Sequence, residues 1–269
     1  MIKNKFSTKI MGIINANDDS FFEDSRFQGN DAILKITQMI QDGATIIDIG
    51  GVSSRPGSAV VSEEEELNRI KPICDIIKQE KLYNQVSFSI DSYTPSVVEY
   101  ALQSGFSIVN DITGLMNDEI ASITAKYNAT IIIMHMLGTP QDMQKNPTYS
   151  DVIQDIDDFF SKQIQKAKKF GIDKIILDVG IGFGKTLEHN LLLLKNMNHF
   201  LHFNYEVLIG ASRKSMINMI IPSNTEDRLS GTLAIHLDSI SRGASIVRCH
   251  DVKEHYQAIK IQEAILNTI

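Results

Sequence analysis

Eight short apolar runs, each rich in β-branched residues and each followed by a longer amphipathic stretch, constrain this chain more than any other feature. They read Lys9-Ile-Met-Gly-Ile-Ile, Ala44-Thr-Ile-Ile-Asp-Ile, Val86-Ser-Phe-Ser-Ile, Ser107-Ile-Val, Thr130-Ile-Ile-Ile-Met, Lys174-Ile-Ile-Leu, Glu206-Val-Leu-Ile and Ser245-Ile-Val, and they end at Asn15, Gly50, Asp91, Asp111, His135, Asp178, Gly210 and Arg248. Continuous apolar runs of this kind are strands covered on both faces. Helical patterns follow at 30–42, 62–80, 95–104, 117–127, 150–169, 188–199, 226–241 and 251–268. Start signals include Ser62 three residues ahead of Glu65 and the pair Thr94-Pro95; Gly43, Gly105, Gly171 and Gly243 follow the last turns.

Eight alternating strand and helix units predict an α/β fold, a (β/α)8 TIM barrel in which residues 1–269 form a single domain. No linker or low-complexity tract divides the chain. An open doubly wound sheet is the rival, but it does not require eight near-equal units and usually carries a glycine-rich first loop. With 43% hydrophobic and 22% charged residues the chain can bury a large core, and 26 basic against 33 acidic residues give a formal charge of −7. That balance argues against a nucleic-acid partner. Two cysteines, Cys74 and Cys249, are too few for a disulfide framework and fit a reducing cytoplasm. The apolar run Ile10–Ile14 is too short for a signal sequence, and no stretch approaches the roughly 20 apolar residues of a membrane span.

In such barrels the strand ends carry the chemistry. Here they bring Asn15 and Asp19, Ser53-Ser54-Arg55-Pro56-Gly57, Asp91, Asn110-Asp111, His135, Asp178, Ser212-Arg213-Lys214-Ser215, Arg248 and His250. Taken singly, an aspartate at a loop start is more often a cap, His135 a satisfied half-buried ring, and Gly180-Ile-Gly-Phe-Gly-Lys-Thr186 a flexible connection. The combination weighs otherwise, because independent surface charges do not gather at the same end of eight strands.

Counting removes several familiar motifs. A phosphate-binding Walker loop requires glycine where Val179 stands, a Rossmann fingerprint requires two residues between Gly182 and Gly184, and a hydrolase elbow requires glycine where Lys214 stands. No His-Glu-x-x-His occurs, which argues against a dedicated zinc site. What remains is a basic group (Arg55, Arg213, Lys214, Arg248, His250) facing an acidic and amide group (Asp91, Asn110, Asp178). A cationic mouth on an acidic protein suits a small anion such as a phosphate. A deep carboxylate suits a flat donor–donor edge like that of a 2-amino-pyrimidinone.

These motifs resemble, in order and spacing over nearly the whole chain, those of the dihydropteroate synthase family: Met11-Gly-Ile-Ile-Asn15, Asp19-Ser-Phe21, Ser53-Ser-Arg-Pro-Gly57, Ser89-Ile-Asp91, Val109-Asn-Asp-Ile112, Met134-His-Met with Gly138-Thr-Pro140, Leu177-Asp with Gly180-Ile-Gly-Phe-Gly-Lys185, Ser212-Arg-Lys-Ser215, and Arg248 with His250-Asp251. The resemblance implies a folate-pathway transferase that joins 6-hydroxymethyl-7,8-dihydropterin diphosphate to p-aminobenzoate by an S_N1-like route, and that is a sulfonamide target. It implies that Asp91, Asn110, Asp178 and Lys214 hold the pterin, with Phe183 beside it; that Ser54, Arg248 and His250 take the diphosphate; and that Asn15 helps bind Mg²⁺. Arg55 and Ser215 are then expected near p-aminobenzoate and Asp19 in the first loop, with Asp19, Arg55 and Lys214 as the catalytic group.

The first loop, Asn15-Ala-Asn-Asp-Asp-Ser-Phe-Phe-Glu-Asp-Ser25, lacks the Thr-Pro and Gly-Gly usual in the family, Val179 replaces a proline, and Ser54 a threonine. A corrinoid-type methyltransferase domain and a non-catalytic pterin-binding paralogue are the competing readings. A homodimer is expected as well: Leu191, Leu192, Leu193 and Leu194 are consecutive, so at about 100° per residue at least one must point away from the barrel. Val252, Tyr256 and Ile259 are expected to extend that apolar patch.

Overall fold

The computed structural model describes residues 7–16, 25–53 and 61–267. Eight parallel strands close into a barrel in sequence order, β1 (Lys9–Asn15), β2 (Ile46–Gly50), β3 (Ser87–Asp91), β4 (Ile108–Asp111), β5 (Thr130–Met134), β6 (Ile175–Asp178), β7 (Glu206–Ile209) and β8 (Ile246–Cys249). The surrounding helices are α1 (Ser25–Gln41), α2 (Glu63–Gln79), α3 (Pro95–Gln103), α4 (Asp118–Lys126), α5 (Val152–Lys169), α6 (Leu187–Lys195), α7 (Ser215–Ile220), α8 (Leu229–Ser241) and α9 (Val252–Asn267). The expected barrel is therefore the observed one.

Why the strands read as unbroken apolar runs is visible in the two cores. Outward residues such as Ile47, Ile49, Ile131, Ile133 and Val247 join the large cluster beneath the helices. Inward residues Met11, Ile46, Ile108, Ile132, Ile176, Leu208 and Ile246 form a separate cluster inside the barrel. Because side chains alternate along a strand, both faces of each strand are buried and little polar residue is tolerated between them.

The sequence signals act as expected at several ends. Ser62 caps α2 by accepting from the Glu65 N–H at 3.2 Å, Pro95 opens α3, and Gly43 and Gly243 end their helices at φ of +103° and +104°. Two segments differ: α7, Ser215–Ile220, is a helix that the eight patterns did not include, and one of the expected helices is broken. The pattern at 188–199 divides into α6 and a 3₁₀ helix, Met197–Phe203, at Asn196, whose side chain donates to the Leu192 carbonyl at 2.8 Å. An asparagine that caps its own preceding turn competes with helix continuation.

Of the four leucines, Leu193 and Leu194 are buried while Leu191 and Leu192 are exposed. The expected continuation of that patch is corrected on α9: Val252 and Ile259 belong to the core, and only Tyr256 is exposed. Among the described residues, no helix is long and apolar enough to cross a membrane.

Candidate active site

The barrel's interior floor is apolar, and two residues further along the same strands it becomes polar. Ile46, Ile108, Ile176 and Ile246 lie in the inner cluster; the next inward positions, by the two-residue alternation of a strand, are Asp48, Asn110, Asp178 and Arg248. Register sets Asp91 beside Asn110 and beside Gly50. The strand ends thus present a ring of polar groups over a dry floor.

Arg248 organises one half of that ring. Its Nε donates to Asp48 Oδ2 and its Nη2 to Asp91 Oδ2, both at 2.6 Å, and Asn110 Nδ2 donates to the same Asp48 oxygen at 3.0 Å. Two carboxylates share one guanidinium. Burial pushes the Asp91 carboxyl well above its usual range; Arg248 opposes this, while Asp48, Glu66 and Asp111 reinforce it. For Arg248 the balance is reversed: burial works against its charge, but Asp48 and Asp91 hold it more firmly protonated than an ordinary arginine. Oδ1 of Asp48 has no hydrogen-bond partner among the described residues.

The other half is built by the segment after β6. Asp178 Oδ1 accepts from the Gly180 N–H at 2.8 Å, leaving Oδ2 toward Gly210, where an added Cβ would stand 4.0 Å from it. Burial raises the Asp178 carboxyl, with Lys214 the main opposing charge. The glycine segment is not a flexible connection. Gly182 donates to Asn190 Oδ1 at 2.8 Å, its carbonyl accepts from Gln144 at 2.6 Å, and the Gly184 carbonyl accepts from the Tyr149 hydroxyl at 2.7 Å. Gly180 has φ of +68°, and a Cβ there would lie 1.9 Å from the His135 carbonyl oxygen. Such a site admits glycine alone.

Within this segment Lys185 is buried and donates to the carbonyls of His135 and Phe183 at 3.2 and 3.0 Å, with His135 Nδ1 at 3.0 Å. Burial brings the Lys185 ammonium down to about 7, against the pull of Asp178. Burial and then the Lys185 charge bring His135 down to about 2, so the ring is neutral and accepts through Nδ1. His135 is the satisfied histidine of the cautious reading.

Lys214 spans the two halves. Its Nζ bonds the Ile181 carbonyl and lies 4.4 Å from the centre of the Phe183 ring. Burial lowers its ammonium to about 8; Asp178 raises it and Arg248 lowers it further. Phe183 is half-buried, so lysine and ring form one wall over the polar tier.

The strand-end cations do not all face this space. Arg213, grouped with them from the sequence, makes a two-pronged ion pair with Asp251, Nε to Oδ2 at 2.9 Å and Nη2 to Oδ1 at 2.6 Å. It fastens the β7 loop to the start of α9. Beneath it, His236 Nε2 accepts from the Ala211 N–H at 3.1 Å, which leaves its Nδ1 to donate to His255 Nε2 at 2.8 Å; His255 Nδ1 then donates to the Asp251 carbonyl at 2.6 Å. Burial keeps His236 neutral, as that chain of donors requires. Above it, Ser212 Oγ lies 2.9 Å from His250 Nδ1.

Among expected site residues, the structure thus brings Asp91, Asn110 and Arg248 into one group bonded through Asp48, and sets Lys214 over the Phe183 ring within electrostatic reach of Asp178. Asn15 ends β1 in register with Gly50, and Ser215 opens α7, exposed. Asp19, Ser54 and Arg55 lie outside the described residues. Two residues were missed from the sequence. Asp48 was legible as a charge at an inward position of an otherwise apolar strand; Lys185 was not, because only the fold buries it.

The chain matches the family model described as "Pterin binding enzyme" over residues 11–250. It is similar to the bifunctional dihydropteroate synthase/dihydropteroate reductase of Helicobacter pylori, 42% identical over 97% of this chain and 68% of that protein. It is 41% identical to the dihydropteroate synthase of Escherichia coli (strain K12), over 96% of this chain and 92% of that one. The Yersinia pestis dihydropteroate synthase, solved as a sulfonamide drug complex, superposes with a TM-score of 0.90 at 37% identity, covering 97% and 95% of the two chains.

Proposed function

The chain belongs to the pterin binding enzymes and, within them, to the dihydropteroate synthases, and on that premise we propose how its strand-end groups divide the work. The reaction joins 6-hydroxymethyl-7,8-dihydropterin diphosphate to p-aminobenzoate, giving dihydropteroate and diphosphate for folate biosynthesis. The observation that carries the assignment is the Oδ2 of Asp178, a buried residue, which accepts no hydrogen bond among the described residues and lies over an apolar floor on the side of Gly210, whose missing side chain leaves that oxygen uncrowded.

A carboxylate in that position accepts the paired N–H groups at the pterin's amino-pyrimidinone edge, because it offers acceptors only. Asp91 and Asn110 take the rest of the ring's polar edge, and the dry floor and the Phe183–Lys214 wall hold its faces. Raised carboxyl values and a lowered lysine in one pocket are the electrostatic pattern of a working site.

At the mouth, Arg248 and His250, with Ser54, receive the diphosphate. Arg248 has five N–H donors, and its bonds to Asp48 and Asp91 use two, so it can bind an oxyanion without leaving its carboxylates. The hard amide oxygen of Asn15 at the end of β1 fits Mg²⁺, which takes few protein oxygens and completes its shell with phosphates and water. When bound, Mg²⁺ supplies further neutralisation of the leaving group's charge.

The C–O bond breaks heterolytically and the diphosphate leaves with the electron pair, stabilised by Arg248. Electron release from the dihydropterin stabilises the methylene cation; the aryl amine then attacks and sheds a proton. In this reading Arg55, Ser215 and Asp19 serve the p-aminobenzoate step, and sulfonamides compete as analogues of that substrate.

We read residues 1–269 as one domain working in the cytoplasm, where the buried free thiols of Cys74 and Cys249 stay reduced. A homodimer covers Leu191 and Leu192 on α6. Purified protein mixed with the pterin diphosphate, p-aminobenzoate and Mg²⁺ tests the function: dihydropteroate and diphosphate are expected in equal amounts, and tight pterin binding without product would mark a non-catalytic paralogue.

A further inference from the structure

Away from the strand ends, Asp157 on α5 meets His199 and His202 on the 3₁₀ helix Met197–Phe203. Side chains three apart in a 3₁₀ helix eclipse one another, so the two imidazoles stand together, centroids 5.3 Å apart and planes at 72°. Both turn Nε2 to a single oxygen, Asp157 Oδ1, at 2.9 Å from His199 and 3.2 Å from His202. All three ligand atoms lie within 4.8 Å of one another. A tetrahedral zinc centre with bonds of about 2.0 Å has edges of about 3.3 Å, close to both nitrogen–oxygen separations.

Core packing holds this alignment. Phe160, three residues on from Asp157 along α5, stacks edge-to-face on Phe200 at 5.7 Å and Phe203 at 6.1 Å. Those rings are the neighbours in sequence of the two histidines, and Phe160 and Phe200 are fully buried. The acid is therefore placed over the histidine pair by apolar contact, not only by the polar bonds themselves.

The hydrogen bonding of His202 points to a cation. Its Nδ1 lies 2.7 Å from the His199 carbonyl oxygen, which can only accept, so Nδ1 carries the hydrogen. In the neutral ring Nε2 then aims a lone pair at a carboxylate, which also only accepts. That contact becomes attractive when the ring takes a second proton or when a metal ion lies between the two atoms. A backbone carbonyl on the non-ligating nitrogen is also the usual outer partner of a metal-bound histidine.

We propose that Asp157, His199 and His202 form a binding site for a borderline divalent transition metal, of the Zn²⁺ or Co²⁺ class, that clamps α5 to the chain entering β7. Imidazole selects such ions, whereas Mg²⁺ prefers oxygen ligands alone. The side chains of His199 and His202 are 40% and 50% exposed, so the ion enters directly and water completes its shell. Sequence pattern could not show this set, because Asp157 precedes His199 by 42 residues.

The test is Co²⁺ titration of the chelator-treated full chain in excess Mg²⁺, followed by visible absorption. Wild type is expected to bind one Co²⁺ that the combined His199→Ala, His202→Ala variant binds at least about tenfold more weakly. Asp157→Asn, which preserves size, should weaken the same ion. Unaltered dihydropteroate formation under Mg²⁺ verifies that each variant is folded. Absence of Co²⁺ binding in wild type, or equal binding by wild type and the variants, would overturn the proposal.

Discussion

Arg248 on β8 and Asp91 on β3 meet across the barrel mouth, guanidinium Nη2 to carboxylate Oδ2 at 2.6 Å, although 157 residues separate them in the chain. Asp48 stands at the other edge of the guanidinium. Replacing Arg248 with Met therefore leaves two buried carboxylates facing each other, at a cost of roughly 3–5 kcal/mol for an uncompensated buried charge. Asp91 already has a raised carboxyl value, so the folded state binds more protons than the unfolded one over the range between its ordinary and its raised value. Its burden on stability appears as pH rises through that window and is relieved in acid. Denaturant titrations of Arg248→Met should accordingly show a deficit that is large near pH 8 and smaller near pH 5. A deficit independent of pH would separate Arg248 from the carboxylate pair.

Lys214 sets an alkaline limit. Its value of about 8 means that the ammonium is lost as pH rises through that point, well below the ordinary lysine value of 10.5. The rate kcat/KM should fall along an alkaline limb near pH 8, and Lys214→Arg, which stays charged, should lose that limb while remaining slower. For stability the sign is opposite: the folded state binds fewer protons than the unfolded state between the two values, so this group's contribution rises with pH there.

The glycine segment separates clash from strain. Gly180→Ala meets the His135 carbonyl oxygen and should cost more than the roughly 1–2 kcal/mol of a left-handed alanine alone. Gly171→Ala has φ of +81° but nothing within 4 Å, and should cost only that strain. Thermal melts of the two variants should differ clearly; similar midpoints would mean that the segment is free to move.

A two-fold contact through α6 predicts light scattering at twice the chain mass, and a shift to the monomer for Leu192→Glu. Leu191 and Leu192 border a cavity of about 400 Å³ with Leu187, Glu188 and Lys195. A wild-type monomer at micromolar concentration would contradict the dimer.

Much of this was legible in the chain. The strand ends coincide with Asn15, Gly50, Asp91, Asp111 and Asp178 and lie within one residue of His135, Gly210 and Arg248, because the apolar run demanded by a strand buried on both faces stops there. The candidate site was legible as a set of residue types at those ends. What the sequence hid were pairings: Arg213 turned to Asp251 and away from the mouth, Lys185 buried against His135, and Asp48 drawn to Arg248 across the barrel. Each depends on closure of the barrel, which no local pattern encodes. The break at Asn196 was local, but an asparagine within a leucine-rich helix reads equally well as continuing it.

The most direct test of the account is calorimetric titration of wild type and Asp178→Asn with a pterin analogue that carries no phosphate. An amide cannot accept both hydrogens of the pterin edge and sets a donor against a donor, a loss of roughly 1–3 kcal/mol or more. We expect pterin affinity to fall by at least about tenfold, where 1.4 kcal/mol corresponds to one decade. Affinity equal to wild type, in a protein that melts at the same temperature, would contradict the placement of the pterin on Asp178.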